Sequence, residues 1–452
     1  MKKEIRTKEQ IKKDVLETVK VIDTSNLQFV DIREYEHLVK DGMWTRAIQT
    51  ALEEKKNVYI PNIGKEILID NSIFMDSNTN LKVDENQVIR LIEKKNVFVL
   101  RNRNIRPGHH APQGLENPDE NITVTGGIWK SPGNIKTTLE WCCCVTSCFL
   151  FSNVKNFNLI NVRFEDVSTY AIQISNAENY YISGVNFTNC HNDGLHMNGP
   201  LNYAYVENLE GVALGDDVIA VSAWDWYNCA MTHGDINNIY IKHVRCEDNE
   251  MRMLAGDKPY PNGRVGTCNI SNCVFEDFEG VYLYKMYYQP HWRKVHTKNK
   301  NFDATESVGR MDNIYFDGIN IAYKEGNGFS PIDICGLFDI LADCKNLNFE
   351  NINIDYTYDQ LKAMNRKFMN VGPLSATLKL GDNTDDWGDL FDADRCCTVE
   401  DIHLKNITFK GEKVCDKEKL VSELHQKINP DYPNTTPEGG TGFGKVLDVI
   451  VE

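Results

Sequence analysis

The sequence predicts an all-β fold, a right-handed parallel β-helix entered through an N-terminal helical cap. Three observations carry that prediction. A run of the form Asn-hydrophobic-x-hydrophobic-x-Asn-x-x-Phe recurs at residues 156–164 and 179–187, with a looser copy at 202–209; the copies start 23 residues apart. Later copies begin near Asn238, Thr267, Asn313, Asn346 and Glu400, stretched by insertions. Short alternating strands at a period of roughly 20–30 residues mark a solenoid whose coils are unstable alone. Leucine-rich repeats, the main rival solenoid, need helical segments and a strict LxxLxL register that this chain lacks. The open end of a solenoid must also be covered. Residues 41–52 read as an amphipathic helix with Trp44, Ile48, Ala51 and Leu52 on one face, running into a strand that Pro61 stops.

In order, residues 1–40 read as a mixed helical and extended segment, 41–410 as the β-helix, and 411–452 as a C-terminal segment packing on it. Within the last, 417–428 looks helical, 429–444 a Pro/Gly-rich loop, and 446–451 an apolar strand. The recurrent asparagines suit a stacked amide ladder at one corner, a structural device that satisfies turn backbone groups.

Composition narrows the partners. With 452 residues, 41% of them hydrophobic, the chain exceeds one ordinary compact domain unless the fold grows along an axis. A formal net charge of −16 argues against nucleic acid or an anionic membrane as partner. No apolar stretch follows the charged N-terminus, and no run of ~18 apolar residues occurs to span a bilayer; a cytoplasmic location is the expectation. The 14 cysteines, among them Cys142-Cys143-Cys144, show no zinc-like spacing and are expected reduced and packed as small apolar residues. No cofactor or metal is expected.

A second strand of each coil aligns by apolar alternation: 170–174, 193–197, 217–221, 250–253, 280–283 and 331–334. Its inward residues flank a central outward one. Gln173, His196, Ala220, Arg252, Tyr282 and Asp333 should therefore form one line at the ~4.8 Å strand spacing. A line of His, Arg, Tyr and Asp suits a groove for a polar ligand better than a solvated face, which ordinarily carries Thr, Ser, Lys and Glu. Trp224, Trp226, Tyr287, Tyr288 and Trp292 follow these strands. Their rings would serve either as platforms for sugar C–H surfaces or as core and cap packing.

Asp193 and Asp217 fall at the same place in neighbouring coils, with Asp216 alongside. Like charges at that range raise at least one pKa, giving an acid and a base in one site. That is the requirement of glycoside hydrolysis, with the carboxyls ~6.5–9.5 Å apart in inverting enzymes. A structural turn and a carboxylate cation site are the other readings of the three acids.

Asn192-Asp193-Gly194-Leu195 and Gly215-Asp216-Asp217-Val218-Ile219-Ala220 resemble the paired Asn-Thr-Asp-Gly and Gly-Asp-Asp-x-Ile-Ala motifs of glycoside hydrolase family 28, the polygalacturonases. The helix ahead of the Val-Tyr-Ile-Pro run is similar to the entry cap of the pectate-lyase-like superfamily. The three-aspartate arrangement is also similar to that of the family 110 α-1,3-galactosidases. The resemblance covers roughly residues 40–410 and implies a right-handed β-helix hydrolysing with inversion. It further implies Asp217 as general acid, with Asp193 and Asp216 holding and activating water. Two departures stand out. The family's Gly-His-Gly falls on Asp248-Asn249-Glu250, and its uronate-gripping Arg-Ile-Lys falls on Tyr282-Leu283-Tyr284, with Lys285 one residue on and turned the other way in a regular strand. Arg252 is then a candidate replacement cation, and His196 or His233 a replacement imidazole.

The expected activity is an exo-acting glycosidase on pectin-derived, galactosyl or galacturonosyl oligosaccharides. Insertions after Trp226 and Tyr288 would wall the groove. The alternatives are a β-helical polysaccharide lyase, with Arg252 or Lys285 as base, and a non-catalytic carbohydrate-binding solenoid.

Overall fold

The computed structural model describes residues 5–105, 114–133, 147–225, 231–259, 265–289, 309–322, 336–364, 366–371, 397–423 and 445–452. The chain winds as a parallel β-helix. From Ser147–Ile160, each turn lies in parallel register on the one before, through Tyr170–Cys190, Leu195–Leu214, Ile236–Pro259, Ile270–Gln289, Arg310–Ile321, Asp343–Ile354 and Thr398–Phe409, to Lys445–Val451. Shorter strands from Asn57–Ile60 onward build the first coils in the same way.

The repeat works because Asn tolerates the left-handed backbone that a tight corner needs. Asn121, Asn156, Asn272, Asn313 and Asn346 all have φ between 53° and 57°. Their amides stack from coil to coil: Asn156 donates to Asn121 (3.0 Å), Asn313 to Asn272 (2.9 Å) and Asn346 to Asn313 (2.9 Å). The residue three after each of these corner asparagines points inward. Phe275, Phe316 and Phe349 occupy one register position in successive coils and stack at 5.0 and 5.3 Å. Burying such a side chain contributes about 1.5–3 kcal/mol, repeated at every coil.

Helix α1 (Lys8–Thr18) starts at a capping box in which the Thr7 hydroxyl and the Gln10 side chain exchange bonds with each other's backbone N–H groups. Its Ile11 and Val15 are fully buried against Tyr240, Val274 and Tyr315, neighbours on one outer row of the sheet. Lys8 bridges Asp317 (2.6 Å) and Glu350 (2.5 Å) in adjacent coils, and Lys12 reaches Glu276 (2.6 Å). The N-terminal segment is thus a brace along the side of the solenoid. Helix α2 (Thr45–Lys55) packs Ala47, Ile48, Ala51 and Leu52 into the main core, as does Trp44 just ahead of it.

One expectation changes at the C-terminus. The helix expected over 417–428 is one turn, Lys417–Leu420, because Val421–Glu423 joins the sheet beside Lys367–Val371. The loop expected over 429–444 lies outside the described residues. The eight described cysteines form no disulfide with one another and six are buried; the triplet at 142–144 is not among them. Among the described residues, no helix is long and apolar enough to cross a membrane.

Candidate active site

The site is built on consecutive coils. Leu195 pairs with Ile219 and Ile219 with Met251, all buried, so the residues two or one ahead of them, Asp193, Asp217 and Glu250, stack at one edge of the sheet. The Gly194 N–H donates to the Asp217 carbonyl (3.0 Å), locking the first two together. Gly215, which leads into Asp216-Asp217, admits no side chain: a Cβ there would lie 2.0 Å from the His191 carbonyl oxygen. Asp193, Asp216 and Asp217 each bring a carboxylate oxygen within 4.8 Å of the others.

Burial divides their roles. Asp193 and Asp217 are fully buried and Asp216 is half-buried. Desolvation pushes the Asp217 carboxyl well above the usual carboxylate range, against the pull of Arg252 and Lys285 and with a further push from Asp216. Asp193 is raised by burial and by Asp216, opposed by Arg252 and His196. Arg252 sits between the two, Nη1 3.2 Å from Asp217 and Nη2 3.2 Å from Asp193. The Lys285 ammonium lies 3.5 Å from Asp217 Oδ1 and pairs with Glu250, which also accepts from the Tyr282 hydroxyl (2.7 Å).

His196 is fully buried between two acids. Its Nδ1 bonds Asp193 and its Nε2 lies 2.9 Å from Asp225. Burial alone would lower its pKa, but the two carboxylates outweigh it and hold the imidazole near 9. Five acids (Asp193, Asp216, Asp217, Asp225, Glu250) therefore meet three bases (His196, Arg252, Lys285). The protein's own cations already occupy the acid cluster, and a guanidinium 3.2 Å from two of the carboxylates opposes a metal ion there.

The outward line is corrected in register and in character. Gln173, His196, Ala220 and Arg252 do align, but Arg252 pairs with Lys285, not Tyr282, and Lys285 pairs with Asp339, not Asp333. A register shift between Arg245 and Glu250 moves the frame, and residues 281–287 are apolar or aromatic everywhere except Lys285, so alternation could not set the facing. Tyr282 instead sits at the corner against Glu250. Asp333 lies outside the described residues. Asp339 is buried, accepting from the Tyr287 hydroxyl (2.9 Å) and the Asn370 amide (2.5 Å).

Nor is the line an open groove. Leu150, Gln173, His196 and Ala220 are fully buried. The chain after the Asp217–Ser222 strand folds back over them, with the Met231 N–H donating to Asn198 (3.3 Å) and the Thr232 hydroxyl to the Gly199 carbonyl (2.7 Å). Phe98, Leu150 and Met231 close that end with an apolar cluster. Among the described residues of the cluster, Asp216, Glu250, Arg252 and Lys285 are partly exposed, so access is from their side.

Trp224 is fully buried, its ring edge-on to the buried His233 at 4.4 Å; neither is an exposed sugar platform. Trp226, Trp292 and the Tyr288 side chain lie outside the described residues. Two members of the cluster were not singled out from sequence. Glu250 heads the third aligned strand as Asp193 and Asp217 head theirs, a signal the alignment contains. Asp225 has only its place beside two tryptophans.

No family model matches the sequence, and no curated protein does. Solved structures similar to it include PfbA, a surface adhesin of Streptococcus pneumoniae (13% identity, TM-score 0.41, 85% of this chain and 93% of that one). The catalytic domain of a GH87 α-1,3-glucanase is similar at 12% identity and TM-score 0.44, over 90% of this chain and 69% of that one. The family 28 exopolygalacturonase of Yersinia enterocolitica is similar at 12% identity and TM-score 0.44, over 94% and 78%.

Proposed function

We propose that this chain is a glycoside hydrolase acting from the end of an oligosaccharide, with Asp217 as general acid and Asp216 as the base that activates water. The observation that carries the reading is the contrast between two adjacent carboxyls. Asp217 is buried and holds its proton, while Asp216 reaches solvent. A proton donor beside a second carboxyl that solvent can reach is the pair that glycosidic cleavage needs.

One-sided access favours chain ends over the middle of a polymer. Arg252 and Lys285, on adjacent rungs of that open side, would meet a sugar carboxylate, such as a galacturonosyl unit's, in competition with their own ion pairs to Asp193, Asp217 and Glu250. The carboxyl oxygens come closer than the ~6.5–9.5 Å of inverting enzymes. Spacing therefore does not assign inversion, which rests on the motif resemblance.

A lyase would draw its base from Arg252 or Lys285. Both are ion-paired, and the neighbouring carboxylates, outweighing burial, hold each one's proton more tightly than usual, the wrong direction for a base. The test is a screen of aryl glycosides and pectin-derived oligosaccharides, following the product anomer by NMR. Hydrolysis lost by several orders of magnitude in Asp217→Asn supports the reading. Unsaturated, ultraviolet-absorbing product would point to the lyase, and sugar binding unchanged in Asp217→Asn, without turnover, to a binding module.

A further inference from the structure

His196 has a carboxylate beside each ring nitrogen: Asp193 bonds Nδ1, and Asp225 Oδ2 lies 2.9 Å from Nε2 as an ion-pair contact off hydrogen-bond geometry. A neutral imidazole carries one N–H and would turn a lone pair toward one of those acids; the doubly protonated ring sets positive charge between both. Asn198 Nδ2 also lies 3.2 Å from Nε2. Its own oxygen is engaged by Gln173 Nε2 (2.7 Å) and the Met231 N–H (3.3 Å), which fixes the amide's orientation. A lone pair on Nε2 would suit that amide, but a charged carboxylate at shorter range outweighs a neutral donor. The Tyr170 ring, 4.6 Å away, holds the imidazole from one side. Arg252 Nη2 completes the surroundings, 3.2 Å from Asp193 and 4.0 Å from Asp225.

We infer that Asp225 and His196 are positioning residues: together they hold an imidazolium against Asp193, so that Asp193 stays a fixed anion and the proton shared by the buried acids resides on Asp217. Asp193 Oδ2 carries both His196 and Arg252, whereas neither oxygen of Asp217 takes a hydrogen bond of good geometry from the described residues. Of two buried carboxyls a coil apart, the one without hydrogen bonds is the one that keeps a proton. This rests on the hydrolase reading for its purpose, but not for its test.

The test has a spectroscopic and a kinetic arm. In protein labelled with [15N]histidine, one ring is expected to show both nitrogens protonated at pH 7, and to deprotonate near pH 9. Asp225→Asn should convert that same ring to the neutral form at pH 7, and His196→Gln should remove its signal. Should His196→Gln fail to fold, the response to Asp225→Asn identifies the ring instead. On a glycoside that the wild type cleaves, Asp225→Asn should move the acid limb of kcat/KM upward by about one pH unit with KM within ~2-fold. Loss of the imidazolium makes Asp193 harder to ionise, which gives the shift its sign. A ring that is singly protonated at pH 7 in the wild type, or unchanged in Asp225→Asn, overturns the inference. If the ring behaves as expected but the wild type cleaves no glycoside, the hydrolase reading falls and the ion triad stands. If the wild type cleaves but the pH profile of Asp225→Asn is unmoved, the triad's role falls and the hydrolase stands.

Discussion

Lys285 sits one coil beyond Arg252 in direct register, and from there its ammonium lies 3.5 Å from Asp217 Oδ1. The buried acid is thus flanked by cations from two successive turns. Lys285→Met removes one of them without changing chain direction. Proton donation by Asp217 should persist while capture of an anionic sugar weakens, so KM for a uronate substrate should rise about 10-fold or more, with kcat changed less. Tyr282→Phe, which removes the bond to Glu250 but no cation, should leave KM within ~2-fold. Steady-state kinetics on one substrate separates the two.

Asp217→Asn should do more than stop turnover. The carboxyl's pKa is raised on folding, so its contribution to stability is complete below the unfolded value and is lost as pH rises through the folded one. A neutral amide escapes that loss. The melting temperature of Asp217→Asn should therefore exceed the wild type's increasingly from mildly acid to alkaline pH, as scanning calorimetry across pH would measure.

His196 adds a second alkaline dependence. Its pKa rises from 6.5 to about 9, so its stabilisation is full below ~6.5 and disappears as pH passes 9. At 1.36 kcal/mol per unit the shift is of order 3 kcal/mol. Wild-type stability should fall steeply between pH 7 and 10, and His196→Gln should flatten that fall.

Gly215→Ala places a methyl group on the His191 carbonyl. Backbone must move, at a cost of about 1–3 kcal/mol, and the displaced segment carries Asp216 and Asp217. Activity should drop at least 10-fold even at temperatures where the protein stays folded. A variant of normal activity and stability would contradict the close approach.

The brace makes a local prediction. Ile11→Ala removes a fully buried side chain between α1 and the tyrosine row. It should cost about 2–4 kcal/mol, confined to the brace. Hydrogen exchange should quicken in α1 while the Leu195–Leu214 strand stays protected.

Much of this architecture was legible because the solenoid repeats its instructions. Asn at a left-handed corner and Phe facing the core recur often enough that the coil spacing follows, and the spacing alone brought Asp193 and Asp217 together. The reading failed where the pattern is silent. Residues 281–287 are apolar on both faces, so the outward position went to Tyr282 when Lys285 holds it. From sequence Trp224 suits a sugar platform and core packing equally, and nothing local distinguishes the two; the chain folding back after Ser222, a long-range event, decides for packing. Asp225 entered the cluster through the same fold-back. Side chains delivered by returning loops carry no periodic mark.

The extra residue at the corner after Arg245 has a wider bearing. A turn that gains one residue exchanges which side chains of the following strand look out and which look in, and the hydrophobic stack survives only where that strand carries apolar side chains on both faces. Corners are where this fold accepts length changes most cheaply, so a single insertion there can replace the chemistry shown to a ligand with no change in the strand's own letters. Aligning such chains by gapless motif matching will place the right residues on the wrong side of the wall.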